Sequence, residues 1–235
     1  TVSNDTDGIF EAIKSFIDLY NTTIEKLNTK LSEERNKNYL PLTDDEREKL
    51  SEKQQEKWEE IAKTGLLRND SLLSGILSNM RISLSSVVSG LDADYNCLAD
   101  LGITTGGYYE NGKLYVNDEK LKNAINANPQ AVMELFTRDS DVAEEKGLAV
   151  RLYDNLTSGI NQIIDKAGAS STSNLVDNSV LGKKIHDLNK QIADWDRRLA
   201  EIENRYYKQY AALETALSRL NQQSYSLASL LGTNR

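Results

Sequence analysis

The sequence has few of the residues that disulfides, metal sites and chain breaks require. Its one cysteine, Cys97, excludes an internal disulfide, and its one histidine, His186, falls at an outward position beside an apolar helix seam. A catalytic triad or a histidine metal site would therefore rest on a single residue that is expected to be solvated. Only two prolines occur among 235 residues, which favours long uninterrupted helices. No apolar run approaches the roughly 18 residues that a membrane span needs, so no span is predicted.

Positive charge is also scarce relative to negative charge. The 28 lysine and arginine residues are outnumbered by 36 aspartate and glutamate residues, which gives a net charge of −8 and a pI near 4.9. A surface of this sign repels phosphate groups, so no nucleic-acid partner is expected.

The motifs that carry chemistry are absent or incomplete. Residues 92–96 resemble the first half of a calcium loop, but Cys97 stands where that loop needs glycine and Ile103 where it needs glutamate. None of the glycines precedes the Lys-Ser or Lys-Thr pair of a phosphate loop. We therefore predict no enzyme activity, no cofactor and no metal site. One enzymatic alternative stays open, a hydrolase with carboxylates in a pocket beside Tyr108 and Tyr115.

The longest regular stretch lies between residues 185 and 231, where no proline or glycine occurs. As a helix it would be roughly 70 Å long, at 1.5 Å per residue. The first core position of its heptads is apolar throughout: Ile185, Ile192, Leu199, Tyr206, Leu213, Leu220 and Leu227. The second core position reads Leu188, Trp195, Ile202, Gln209, Ala216, Gln223 and Leu230. A seam of this kind needs a partner helix, and its glutamines would permit sliding or alternative partners at a cost in stability.

Three further apolar patterns predict helices near 9–36, 70–90 and 147–168, and a capping box opens a very polar helix near 44–64. The first of these has a complete seam at three- and four-residue spacing: Phe10, Ile13, Ile17, Tyr20, Ile24, Leu27 and Leu31. Asn111-Gly112, between tyrosine-rich runs, predicts a hairpin near 107–116 with a type I′ turn. The fold class is therefore mainly α, an elongated antiparallel helical bundle or coiled coil with a small inserted β-hairpin. A Ser/Thr-rich segment at 169–174 is predicted to be a mobile linker.

The long helix changes character along its length. Between residues 215 and 231 the only charged residue is Arg219, and glutamine, asparagine and serine fill the outer positions. Exposed helix ends usually carry charge, so this end is expected to pack among helices of an assembly, unless it is a frayed terminus. The residues predicted to pack within the chain are Ile185, Leu188, Ile192, Trp195, Leu199 and Ile202. Those predicted to pack on other subunits or partners are Tyr206, Tyr210, Leu213, Leu217, Leu220, Leu227 and Leu230.

Several segments are similar to a known family over nearly the whole chain. They are TDGIF at 6–10, FIDLYN at 16–21, YLPLT at 39–43, AKTGLLRND at 62–70, LGITT at 101–105, NPQAV at 128–132 and LNQQS at 220–224. With these segments the chain resembles the C-terminal region of the FliD-type flagellar filament cap protein, a flagellar hook-associated protein. The resemblance implies a helical leg domain at 1–175, which holds the hairpin near 107–116. It also implies that 176–235 is a long helix whose second half enters a terminal coiled coil.

The resemblance further implies a structural role outside the cell. Such proteins are exported through the flagellar type III route without a cleaved signal, and they form a homo-oligomeric ring at the distal end of the bacterial flagellum. There they promote flagellin insertion and folding, so the implied partners are other copies of the chain, flagellin, hook–filament junction proteins and an export chaperone. Some members bind mucin, but neither that property nor chaperone binding is assigned to residues here. The alternative is a generic coiled-coil scaffold or adhesin without a filament role.

Overall fold

The computed structural model describes residues 5–169 and 177–232, apart from the side chain of residue 231. The chain divides into two compact units, residues 1–163 and 164–235. The helices are α1 (Thr6–Ser32), α2 (Asp44–Glu48), α3 (Glu52–Lys63), α4 (Ser71–Ser85), α5 (Asp118–Ala127), α6 (Pro129–Thr137), α7 (Leu148–Ala167) and α8 (Val180–Gly232). Two strands, β1 (Ile103–Thr105) and β2 (Leu114–Val116), form one antiparallel sheet. The prediction of a mainly α chain with a small hairpin is confirmed.

Side-chain caps fix where the main helices of the first unit begin. The Asp5 carboxylate accepts the Gly8 N–H at 2.8 Å and opens α1. Asp70 does the same for α4, accepting the N–H groups of Leu72 and Leu73 at 3.0 Å each. These oxygens satisfy donors that have no partner in the first helical turn, and each cap typically stabilises a helix by about 1 kcal/mol.

The core of the first unit is built around α1. Its seam residues Phe10, Ile13, Ile17, Tyr20 and Ile24 are buried, and the last two seam leucines are partly buried and pack against the same core. Helix α1 contacts α4, α5, α6 and β2. One amphipathic face therefore organises the unit, as its alternating three- and four-residue spacing indicates.

The second strand of the hairpin lies inside the predicted range 107–116, but the first strand lies before it, at Ile103–Thr105. The strands pair Ile103 with Val116 and Thr105 with Leu114, whereas Tyr108–Glu110 forms a 3₁₀ turn. Asn111 and Gly112 do have positive φ angles, 54° and 89°. However, they close the 3₁₀ turn rather than a two-residue hairpin loop, because the Glu110 carboxylate accepts the Gly107 N–H at 2.6 Å and holds the turn's first residue.

Three predicted helix ends also need correction. The helix predicted at 70–90 ends at Ser85, because the N–H groups of Val88 and Ser89 donate to carbonyls at positions 96 and 144 instead of continuing the helix. The helix predicted at 44–64 is two helices, since Ser51 and Gln54 form a capping box that starts α3. The helix predicted at 9–36 ends at Ser32.

The second unit consists mainly of α8, which has 53 residues and is about 80 Å long at 1.5 Å per residue. Its start is closed by Ser179, whose hydroxyl accepts the Gly182 N–H at 3.0 Å while its own N–H donates to Asp177 at 2.9 Å. The Asp177 carboxylate accepts hydrogen bonds from the backbone N–H and the side chain of Ser179, and these hold its pKa below its ordinary value. The linker predicted at 169–174 lies, except for its first residue, outside the described residues. Within the described part of the chain, no helix combines the length and apolar character needed to cross a membrane.

Candidate assembly surface

An exposed row of large apolar side chains runs along α8. We call it the α8 stripe and define it by Ile185, Leu188, Ile192, Trp195, Leu199, Ile202, Tyr206, Tyr210, Leu213, Leu217 and Leu220. Each of these side chains is between 40% and 69% exposed. Isolated exposed leucines are ordinary, but a continuous row of this length is typical of a surface that packs against another protein.

The two sets of predicted seam residues therefore have different environments in the single chain. The α1 seam is enclosed by the helices of its own unit, whereas the α8 stripe is exposed. The prediction that Ile185 to Ile202 pack within the chain, and that Tyr206 to Leu230 pack on partners, stays a prediction.

The stripe is not a simple continuation of one heptad repeat. Its steps alternate between three and four residues up to Ile202, and two steps of four then follow, from Ile202 to Tyr206 and from Tyr206 to Tyr210. Afterwards the alternation resumes, with steps of three, four and three residues from Tyr210 to Leu220. The helix is unbroken through this point, so the offset is a change of phase within one continuous α-helix.

The offset keeps the stripe on one side of a straight helix. At about 100° per residue, an uninterrupted heptad pattern drifts about 20° per heptad around the helix. The extra residue at the offset shifts the stripe back once against that drift, so the whole stripe stays within a sector of about 100°. Beyond the offset, the second core positions of the predicted heptads lie outside the stripe. Gln209 and Gln223 are about 60° and 100° from Tyr206 around the helix axis.

This geometry revises the interpretation of the glutamines. They flank the stripe instead of interrupting it, and Tyr210 and Leu217 occupy the positions that continue it. Leu227 and Leu230 lie outside the sector on the same side as the glutamines, about 60° and 120° from Tyr206. Two consecutive four-residue steps are visible in the sequence alone, but the heptad frame counted from Ile185 hides them.

The borders of the stripe differ between its two halves. Up to Tyr206, arginines border the stripe: Arg198 lies over the Trp195 ring at 5.2 Å, and Arg205 lies over the Tyr206 ring at 5.7 Å. Beyond residue 214, Arg219 is the one charged residue before the end of α8. A charged border tolerates water, whereas an uncharged polar border loses less solvation free energy when another helix covers it.

The enzymatic alternative finds little support beside Tyr108 and Tyr115. A cleft of about 580 Å³ borders Tyr108, but no carboxylate is among the described residues that line it. The nearby Glu110 carboxylate accepts both the Tyr115 hydroxyl and the Gly107 N–H, and these bonds lower its pKa. A carboxylate with a lowered pKa is a poor general acid near neutral pH. Among the described residues, no cluster of histidine, cysteine, aspartate or glutamate could hold a metal ion.

Comparison with known proteins gives the family. The family model described as the flagellar hook-associated protein 2 C-terminus matches residues 1–222. The chain belongs to this family. The matched region contains the whole α8 stripe together with its offset.

Named relatives agree with this assignment. The chain is 35% identical to the flagellar hook-associated protein 2 of Halalkalibacterium halodurans, over 96% of this chain and 46% of that protein. It is 33% identical to the protein of the same name from Thermotoga maritima, over 93% of this chain and 33% of that protein. It is 27% identical to the flagellar hook-associated protein 2 of Salmonella typhimurium, over 95% of this chain and 41% of that protein. The chain thus spans less than half the length of each of these relatives.

A solved structure is also similar. It is the crystal structure of the D1-D2-D3 domains of the flagellar cap protein FliD from Escherichia coli. The match has a TM-score of 0.44 and 24% sequence identity, and covers 68% of this chain and 33% of the other.

Proposed function

We propose that the chain is the assembly-forming part of a flagellar filament cap and acts by packing helices rather than by catalysis. The observation that carries this proposal is the α8 stripe, an exposed apolar row about 53 Å long on a single helix. A row of this length is excessive for a helix that packs only inside its own domain. Membership of the hook-associated protein 2 family gives the assembly in which such a helix would be used.

The stripe would serve two environments. From Ile185 to Ile202 it would pack on the helices of its own leg domain. From Tyr206 to Leu220 it would enter a terminal coiled coil with other subunits, in which Leu227 and Leu230 would also pack. Beyond Glu214 the border carries only Arg219 as a charged residue, which supports burial of this end of the helix against other subunits. Fully burying a leucine-sized side chain contributes about 1.5–3 kcal/mol, so covering the half that is exposed contributes about 1 kcal/mol for each stripe residue.

The assembly would be a homo-oligomeric ring at the distal, extracellular end of the filament. There it would promote insertion and folding of flagellin, in contact with flagellin and, at the start of growth, with hook–filament junction proteins. An export chaperone would bind the chain before secretion. This role is mechanical, because the subunits must hold together while they leave gaps and move as the filament grows.

Light scattering on the 235-residue chain and on a version ending at Arg205 tests the assembly role. We expect the chain to self-associate with increasing concentration and the shortened version to remain monomeric. Equal association of both versions would contradict a role for the second half of the stripe. Restored motility in a cap-deficient strain separates the cap from a generic scaffold or adhesin, which would associate but leave the strain non-motile.

A further inference from the structure

The two outer edges of the small sheet differ in whether their backbone groups find hydrogen-bond partners in the rest of the first unit. At the outer edge of β2, the Asn21 amide of α1 donates to the Leu114 carbonyl at 2.8 Å, and its oxygen accepts the Leu114 N–H at 2.8 Å. One side chain thus satisfies both backbone groups of Leu114, which face away from the sheet. The β2 edge is closed to further pairing at this residue.

The outer edge of β1 is not closed in this way. Gly106 N–H donates to the Lys113 carbonyl and Asn117 N–H to the Gly102 carbonyl, which fixes the phase of the ladder. In an antiparallel pair the hydrogen-bonding residues alternate, so Ile103 and Thr105 direct their backbone groups away from β2. The Ile103 N–H donates to the Leu98 carbonyl at 2.9 Å. Neither the N–H nor the carbonyl of Thr105, which is exposed, has a hydrogen-bond partner among the described residues.

This open edge forms one wall of the 580 Å³ cleft. The other walls include the half-exposed side chain of Ile82 and the buried Leu98 and Leu114. Backbone groups beside apolar walls are the combination that binds extended peptides, whose main chain pairs with the edge while alternate side chains enter the cleft.

Arg81 supplies the charge in the cleft. It is the one charged residue among the described lining residues, and no described carboxylate forms an ion pair with it. Arg81 is exposed, and its side chain lies close to Gly112, where an added Cβ atom would be 2.8 Å from the arginine Nε. In a chain with a net charge of −8, a guanidinium that lines a cleft without an acidic partner favours an acidic ligand.

We propose that β1 accepts an extended segment of a partner protein as a third strand, with an acidic side chain of that segment paired to Arg81. Hydrogen bonds to the β1 backbone would set the register of the added strand, and its alternate side chains would pack against the apolar walls of the cleft. Because β1 has only three residues, main-chain pairing alone would be weak, and the acidic side chain is needed as an anchor. The β1 sequence carries neither the lysine nor the proline that commonly blocks pairing at an exposed edge.

A short synthetic peptide tests the proposal directly. The probe is an end-blocked, fluorescein-labelled heptapeptide of alternating threonine and valine with a central glutamate, titrated against the 235-residue chain by fluorescence anisotropy. We expect saturable binding that weakens about ten-fold in Arg81→Gln, equivalent to about 1.4 kcal/mol. The control variant Arg35→Gln removes an exposed arginine outside the cleft and is expected to bind like the parent chain.

Charge reversal and amide exchange make the test specific. A peptide with lysine in place of the glutamate is expected to bind the parent chain at least ten-fold more weakly and to recover on Arg81→Glu. Bound glutamate peptide should slow hydrogen exchange of the Thr105 amide, and a peptide N-methylated at its central residues should not. No binding at millimolar peptide, equal affinity for both charges, or an unprotected Thr105 amide would each overturn the proposal.

Discussion

Leu217→Ala tests whether the α8 stripe changes phase at Tyr206. Leu217 is 52% exposed in the single chain and lies about 20° from Tyr206 around the helix axis, inside the stripe. Burying a whole leucine contributes about 1.5–3 kcal/mol, so covering about half of it contributes about 1 kcal/mol. We expect the association constant, measured by sedimentation equilibrium, to fall roughly five-fold for each Leu217 side chain that the interface would otherwise cover.

Gln223→Ala is the matched control. In an unbroken heptad frame Gln223 is a core position, but after the offset it lies about 100° from Tyr206 and outside the stripe. Alanine is at least as good a helix former as leucine or glutamine, so neither variant should lose helicity by circular dichroism. We expect Gln223→Ala to leave association unchanged within about two-fold. A decrease in association with Gln223→Ala equal to or greater than that with Leu217→Ala would refute the phase change.

Four further predictions concern the first unit. Asn21→Ala should lower its free energy of unfolding in urea by about 1–3 kcal/mol, since two part-buried backbone groups of β2 lose their partner, whereas the exposed neighbour variant Thr22→Ala should change it by less than about 0.5 kcal/mol. Gly75→Ala should raise the melting temperature, because a Cβ there meets nothing within 4 Å and alanine favours the helix by about 0.5–1 kcal/mol. Gly159→Ala should lower it, because its Cβ would lie 2.7 Å from an isoleucine of α4. The turn held by Glu110 should loosen in acid. In the folded chain the pKa of Glu110 is below its ordinary value of 4.5, so the ionised carboxylate stabilises the turn fully above pH 4.5. This stabilisation is lost as the pH falls through the lowered pKa of the folded state. Tyrosine NMR shifts should report this step, and Glu110→Gln should abolish it.

The helices of this chain could be predicted from sequence because their packing faces are periodic. The α1 seam from Phe10 to Ile24 shows that face completely, and the core forms on it. Helix ends are harder to predict, because distant backbone groups decide them. The helix predicted to reach residue 90 ends at Ser85, since Ser89 N–H finds the carbonyl of Glu144 instead. No local pattern indicates a partner so far away in sequence.

The hairpin shows how a strong local signal can be correct in conformation and wrong in topology. Asn111 and Gly112 adopt the positive φ angles that their sequence predicts. The strands nevertheless begin further out, because the Glu110 carboxylate bonds to Gly107 and Tyr115 and makes a compact turn from residues with high strand propensity. The open β1 edge could not be predicted for a related reason. The β1 edge is open because Asn21 of α1 bonds to β2 and not to β1. That contact depends on how α1 packs on the sheet, which no local sequence pattern indicates.

The offset in the α8 stripe bears on how subunits of a cap would move. Helices joined by an uninterrupted heptad seam wind around each other, so separating them requires unwinding as well as the breaking of side-chain packing. A stripe that stays within about 100° of one side allows partner helices to lie nearly straight and to part sideways. The apolar area covered is similar in the two arrangements, so the offset need not weaken the assembly at equilibrium. We therefore expect restoring a continuous heptad, by Gln209→Leu with Gln223→Leu and Tyr210→Gln with Leu217→Gln, to slow subunit exchange more than it changes affinity. Faster exchange in that variant, measured by mixing labelled and unlabelled oligomers, would contradict this account of the offset.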